Sequence, residues 1–234
     1  MFKVHSVHQI EMTSRCNLAC KYCVHPKMPR PKVDMDDRTY LRSLDVAAML
    51  HRRNPELVTE LNLAGIGEST MHPEFIRYVH LAREAMGWGV RLVIATNGLL
   101  MTREMAKAIK DADPWVWVSL HRPEKAGPAI EALKEAGILR GVSADPSISA
   151  VDWAGQVKWA VSTDAKGSPC TWVRPGRVFV MSDGQISRCC FDGTANGVLG
   201  SIWDDIDTIQ TSPYSLCKTC HLNVGVEMPA EVAA

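Results

Sequence analysis

Residues 11–23 read EMTSRCNLACKYC, with Cys16, Cys20 and Cys23 spaced as Cys-x3-Cys-x2-Cys. They stand at the exit of a strand expected over Val7–Met12. Three thiolates this close suit a cubane iron–sulfur cluster, and they leave one of its four irons without a protein ligand. A cluster held by four cysteines mainly moves electrons, whereas an open iron can bind and activate a second molecule. The loop points to chemistry at an iron site.

The bulk of the chain narrows the setting. With 234 residues and 46% hydrophobic content, it can form one medium domain plus a small appendage. Lys+Arg and Asp+Glu are each 26, so no overall field favours nucleic acid or an anionic membrane. No apolar run approaches the roughly 20 residues of a membrane span. The opening MFKVHSVHQIEM lacks the apolar centre of a signal peptide. A cytoplasmic protein is the expectation, and eight cysteines in a reducing compartment read as metal or cluster ligands rather than disulfides. They form two sets, Cys16, Cys20 and Cys23, then Cys170, Cys189, Cys190, Cys217 and Cys220.

Working outward from the cysteine loop, strand-like and helix-like pieces alternate. Helices are expected over Asp36–Arg53, Pro73–Met86, Thr102–Lys110 and Glu124–Ala136, from apolar periodicity, capping residues and a stop at Gly137. Strands are expected over Leu57–Ala64, Val90–Ala95, Trp115–Leu120 and Ile138–Ser143. The alternation implies a parallel sheet with helices outside it. The expected fold is α/β, an incomplete (β/α)5–6 barrel over residues 1–160. A small cysteine-rich lobe would fill 161–226, with a loose tail at 227–234. In that lobe Ser182-Asp183-Gly184 signals a hairpin between Val173–Met181 and Gln185–Cys189, and Ile202–Gln210 reads as a short helix. Asp152-Trp153-Ala154-Gly155 reads as a joint between the two parts.

The cysteine spacing, with Tyr22 just before the last cysteine, resembles the radical S-adenosylmethionine (SAM) superfamily. In LNLAGIGEST, Gly67-Glu68 resembles the Gly-Gly-Glu(-Pro) element that holds the SAM ammonium, with Ile66 and Ser69 in place of the first Gly and the Pro. Thr96-Asn97-Gly98 and Ser119 resemble two further strand-end elements, Ser119 the one near the ribose. The resemblance covers roughly residues 7–145. It implies a [4Fe–4S] cluster on Cys16, Cys20 and Cys23, SAM on the open iron, and a 5′-deoxyadenosyl radical released by reductive cleavage. Tyr22, Gly67, Glu68, Thr96, Asn97 and Ser119 become the expected cofactor-binding residues.

The second set resembles the Twitch/SPASM class of C-terminal extensions, through SDGQISRCCFD, LGSIW and LCKTC. That likeness implies an auxiliary [4Fe–4S] cluster on Cys170, Cys189, Cys217 and Cys220. By spacing alone four thiolates suit tetrahedral zinc equally well. Neighbours on a strand face opposite ways, so only one of Cys189 and Cys190 can turn to a cluster. Cys190, or Asp192, is then a candidate proton acceptor beside a substrate.

The layout implies an oxidoreductase acting on a small polar metabolite or a peptide side chain, with the auxiliary cluster accepting an electron. Two alternatives stand beside it: a maturase that epimerises or cross-links peptides, and a non-catalytic iron–sulfur or zinc protein. Lys21, Lys27, Arg30 and Lys32 form a basic loop that would dock an acidic flavodoxin or ferredoxin. His25 and His121 fall near motif loops.

Overall fold

The computed structural model describes residues 1–143, 153–157, 170–172 and 175–220. The expected boundary near 160, Asp152 and the tail at 227–234 lie outside the described residues.

The first two-thirds fold much as their pattern dictates. After β1 (Phe2–Lys3), strand β2 (Ser6–Ile10) runs into the cysteine loop. Helix α1 (Asp37–Arg53) starts where the Asp36 carboxylate accepts from Thr39 N at 2.7 Å, satisfying a donor that the first helical turn would leave open. Then come β3 (Glu60–Asn62), α2 (Phe75–Met86), β4 (Arg91–Thr96), α3 (Arg103–Ile109), β5 (Trp115–Val118), α4 (Pro123–Glu135) and β6 (Leu139–Val142). Thr102 caps α3 in the manner of Asp36, and Pro123 opens α4, where its missing N–H costs nothing.

The long sheet has the order β6-β5-β4-β3-β2-β7-β8-β9. β2 lies between β3 and β7 (Arg177–Val180), parallel to both. Six strands are therefore parallel, and the sixth comes from beyond residue 170. β8 (Gln185–Ser187) and β9 (Val198–Ser201) continue the sheet antiparallel. The hairpin at Ser182-Asp183-Gly184 thus extends the barrel sheet itself. The barrel is open. β1 pairs with β10 (Gln210–Thr211) in a separate two-stranded piece.

The core lies between the sheet and α1 to α4. Leu61, Leu92, Ile94, Val116 and Val118 are fully buried on that face, each contributing about 1.5–3 kcal/mol of apolar burial. Tyr40 of α1 stacks on Tyr78 of α2 with ring centroids 3.9 Å apart, and its hydroxyl donates to Tyr78 O at 2.8 Å. No helix among the described residues is long and apolar enough to cross a membrane.

One expected element is different. Ile202–Gln210 is a single 3-10 turn, Ile206–Thr208, followed by β10. Asp204 Oδ2 accepts from Ser201 N and Asp205 Oδ1 from Asp207 N. Short carboxylates that take local backbone donors compete with helix propagation.

Candidate functional site

A cavity of about 360 Å³ opens at the carboxyl ends of β2 to β5, the end of a barrel sheet where loops gather reactive side chains. Cys16, Cys20 and Cys23 all line it.

The cysteine loop is held at its base by Ser14, whose hydroxyl donates to Pro31 O at 3.0 Å and accepts from Val33 N at 2.8 Å. Cys23 N donates to Cys20 O at 3.0 Å, and a 3-10 turn over His25–Lys27 follows. His25 N donates to Cys23 Sγ at 3.4 Å, and the His25 ring bonds Ser14 O through Nε2 at 3.0 Å. Burial raises the Cys16 thiol to about 11 and raises that of Cys23. Such thiols ionise when a metal takes the place of the proton. Three soft donors opening onto one cavity fit an iron–sulfur cluster.

The loop after β3 packs directly on this segment. A Cβ at Gly67 would collide with Thr13 O and stand 2.6 Å from Arg15 O, so only glycine fits. Glu68 N donates to Arg15 O at 2.8 Å, which fixes the acid beside Cys16. The Glu68 side chain is buried. Its Oε1 accepts from Thr70 Oγ1 and Thr96 Oγ1, each at 2.6 Å, and its Oε2 from Asn97 N at 2.7 Å. One acceptor position on Oε2 is left for a further donor. Asn97 Nδ2 donates to Asn17 Oδ1 at 2.7 Å, tying the end of β4 to the cysteine loop. The structure therefore brings Gly67, Glu68, Thr96 and Asn97 together with the cysteines. Ser119, whose N donates to Thr96 O at 2.8 Å, lines the same space.

Tyr22 is buried and lines the cavity as well. Its hydroxyl lies 3.0 Å from His121 Nδ1, the two rings stack at 5.7 Å, and Trp153 Nε1 donates to Tyr22 O at 3.1 Å. Trp153 is a wall residue that sequence reasoning placed only in a joint. It begins a turn in which Trp153, Ala154 and Gly155 have φ of 52°, 59° and 84°. Two non-glycine residues in the left-handed region are costly. Tertiary bonds hold them: Gln156 Nε2 donates to Trp153 O and Phe191 O, both at 2.7 Å, and the Thr219 hydroxyl donates to Ala154 O. Two adjacent left-handed non-glycine residues carry no local sequence signal.

Around β7, Cys170 and Cys190 pack against Trp172, Phe179 and Met181. Cys217 N donates to Tyr214 O at 2.8 Å, and Cys220 N to Cys217 O at 3.4 Å. Cys189 and Cys170 both lie within electrostatic reach of Cys217, whose thiol burial raises. The Cys190 thiol and burial push that of Cys189 well up. Neither Cys190 nor Asp192 lines the cavity. Asp192 is fully buried, accepting from Ser187 Oγ at 2.7 Å, Gly197 N at 2.8 Å and Asn196 N at 3.1 Å. Its carboxylate shapes the loop between β8 and β9. Among the described residues no three Cys, His, Asp or Glu side chains converge tightly enough to hold a single ion.

Arg30 departs from the expected basic surface. It is 7% exposed and pairs with the fully buried Glu11, so it presents no charge to a partner. Lys27 and Lys32 remain exposed.

An open, mostly parallel α/β barrel with three cysteines and an acid-bearing glycine loop at its carboxyl end defines an iron–sulfur class of protein. The chain belongs to the Radical SAM superfamily, which matches residues 10–164. Membership brings with it a [4Fe–4S] cluster and SAM. Similar proteins include the tungsten-containing aldehyde ferredoxin oxidoreductase cofactor-modifying protein of Pyrococcus furiosus. It is 39% identical over 102 residues, 44% of this chain and 26% of that protein. The PqqA peptide cyclase of Ruegeria pomeroyi is 33% identical over 101 residues, 43% of this chain and 24% of that protein. The matched stretches span about a quarter of the length of these curated relatives. Among solved structures, BtrN in complex with AdoMet and 2-DOIA has a TM-score of 0.69 at 19% identity, covering 89% of this chain and 86% of that one. The structure of anSMEcpe with AdoMet and the Cp18Cys peptide has a TM-score of 0.57 at 17% identity, covering 94% and 82%. At these identities the likeness is one of fold.

Proposed function

We propose that this radical SAM enzyme removes a hydrogen atom from its substrate and completes the reaction as an oxidation, using an auxiliary [4Fe–4S] cluster. The observation that carries this reading is the shared cavity: three thiols, the Gly67-Glu68 loop and the Thr96-Asn97 strand end all border one space. Cys16, Cys20 and Cys23 hold the first cluster, which when bound supplies the electron that cleaves SAM to a 5′-deoxyadenosyl radical. Glu68 Oε2 accepts from the SAM ammonium. Gly67, bare of a side chain, lets the amino-acid end of SAM approach the backbone. Asn97 orders the loop beside it, and Ser119 bonds the ribose. Tyr22, steadied by His121 and Trp153, walls the nucleoside and excludes water.

Loss of a hydrogen atom leaves a substrate carbon radical, which must shed one electron and one proton to end as an oxidised product. Cys170, Cys189, Cys217 and Cys220 would hold an auxiliary cluster, which when bound would supply an acceptor for that electron. The electrostatic reach of Cys170 and Cys189 to Cys217, with Cys220 one turn away from it, supports this. A flavodoxin- or ferredoxin-type donor docks at Lys27 and Lys32. The substrate is a small polar metabolite or a peptide side chain, as with the 2-DOIA and the peptide bound by the two structural neighbours.

Anaerobically reconstituted protein given dithionite and SAM forms 5′-deoxyadenosine, and iron and sulfide each count about eight per chain. Counts of about four with bound zinc overturn the auxiliary cluster. No 5′-deoxyadenosine overturns the enzyme.

A further inference from the structure

Two buried side-chain donors without a partner lie together beside the second set of cysteines. Tyr214 is 5% exposed, and its hydroxyl has no hydrogen-bond partner among the described residues. Arg188 Nε is likewise buried and unpartnered. A buried donor with nothing to accept from it is costly, and such an atom marks a place where a ligand, an ion or water belongs.

Both groups are held in place. Arg188 Nη1 donates to Ser212 Oγ at 2.7 Å, Ser212 O at 3.1 Å and Pro213 O at 3.3 Å, which anchors the segment leading into Tyr214. None of those acceptors is a carboxylate. The guanidinium lies 5.6 Å from the centroid of the Tyr214 ring. A Cβ at Gly197 would stand 2.7 Å from Tyr214 Cε2 and 2.8 Å from Cζ, so the ring rests against bare backbone between β8 and β9. Tyr214 O accepts from Cys217 N at 2.8 Å, and Arg188 directly precedes Cys189. Tyr214 lies within electrostatic reach of Cys189, Cys217 and Cys190, and Arg188 within reach of Cys217. Asp192, also within reach of Tyr214, already accepts from Ser187 Oγ, Gly197 N and Asn196 N. Burial, with Cys189 and Asp192 adding to it, holds the Tyr214 phenol far above its ordinary value, so it keeps its proton and offers a donor.

An iron–sulfur cube ringed by four thiolates fits both orphaned donors, since it is anionic, its sulfurs accept hydrogen bonds, and it grows more negative on reduction. We propose that Tyr214 and Arg188 tune the auxiliary cluster as an electron acceptor, the Tyr214 hydroxyl and Arg188 Nε donating to its sulfurs. This deepens the proposed function and rests on it, because it needs that cluster on Cys170, Cys189, Cys217 and Cys220. Hydrogen bonds to the sulfurs and nearby charge are levers on a cluster's potential. A donor or a cation stabilises the more negative, reduced state, so each raises the potential. The cluster gains the one electron that the substrate radical loses, and neither Tyr214 nor Arg188 gives up a proton.

A redox titration of the full-length, reconstituted protein with Cys16, Cys20 and Cys23 changed to alanine, followed by electron paramagnetic resonance, reads the auxiliary cluster alone. Tyr214→Phe keeps the ring against Gly197 and removes only the hydroxyl. It should lower the midpoint potential by about 30–60 mV, a roughly three- to ten-fold change in the ratio of reduced to oxidised cluster for a one-electron couple. Arg188→Gln, which removes the cation, should move it in the same direction. In heavy water the parent variant should show a coupling to an exchangeable deuteron that Tyr214→Phe lacks. Iron of about four per chain in each variant verifies that the cluster is in place. With that iron present, a midpoint unmoved or raised in Tyr214→Phe overturns the inference and leaves the auxiliary cluster standing. A site filled by zinc instead of iron defeats the auxiliary cluster itself, and the inference falls with it.

Discussion

Arg30 grips Glu11 with both arms of its guanidinium, Nη1 to Oε2 at 2.6 Å and Nη2 to Oε1 at 2.8 Å, and neither side chain reaches solvent to any extent. The same carboxylate accepts from Ile66 N at 2.8 Å and from Ser182 N at 3.2 Å. A Cβ at Gly65 would collide with its Cγ. One acid at the end of β2 thus joins the cysteine loop, the glycine loop and the β7–β8 hairpin.

Breaking a buried, hydrogen-bonded ion pair strands the remaining charge. Glu11→Ala and Arg30→Ala should each lose about 3–5 kcal/mol of unfolding free energy. The double variant should lose less than the two losses added together. Urea melts of the four proteins read this directly, and additive losses would mean that the pair is not coupled.

Gly67→Ala should weaken SAM binding about ten-fold or more, because the new methyl has only backbone to displace and a shift of about 1 Å is enough to spoil a site. Equilibrium dialysis of SAM measures it. Iron content read on the same sample separates a lost SAM contact from a displaced cysteine loop, whose Thr13 and Arg15 carbonyls the methyl meets; unaltered affinity would show that this loop does not contact the ligand.

His8 provides a pH signature. Burial, reinforced by the Arg177 guanidinium, lowers it to about 4 from an ordinary 6.5. Neutral His8 then meets Glu60 Oε1 at 3.4 Å as a polar contact rather than an ion pair. Above pH 6.5 folded and unfolded chains are both neutral here, and the stability is fully present. As pH falls from 6.5 through 4 the unfolded chain takes up the proton and the folded chain does not. Stability should drop by about 3 kcal/mol over that window. His8→Gln should flatten this part of the curve, and an unchanged slope would put the acid sensitivity elsewhere.

Lys27→Glu with Lys32→Glu should slow turnover driven by an acidic flavodoxin several-fold while sparing turnover driven by dithionite. Arg30 has no part in this contrast, being buried. Equal slowing with both reductants would remove the docking surface.

The residues that border the candidate site were legible in the sequence wherever they fall in short local runs. The cysteine spacing, Gly67-Glu68 and Thr96-Asn97 are short runs, and each ends a strand whose apolar pattern is plain. The four helices appear within two residues of their expected bounds because Asp36, Thr102 and Gly137 punctuate them. What was hidden depends on partners far along the chain. Nothing near Arg177–Val180 says that it pairs with β2 across some 170 residues. Arg30 looked like one more basic residue because composition records charge and not burial, and its acid stands nineteen positions upstream. Trp153 reaches the cavity through a left-handed turn that local preferences disfavour. β10 was hidden by the apolar spacing of Ile202, Ile206 and Ile209, which mimics a helix until Asp204 and Asp205 bond their own backbone.

The central claim is that the side chains of Cys16, Cys20 and Cys23 ligate three irons and leave the fourth to SAM. Electron paramagnetic resonance of the reduced cluster tests it most directly, in a variant with Cys170, Cys189, Cys217 and Cys220 changed to alanine so that a single signal remains. Adding SAM should shift the g-values of that signal. A spectrum identical with and without SAM would mean that the fourth corner is already taken.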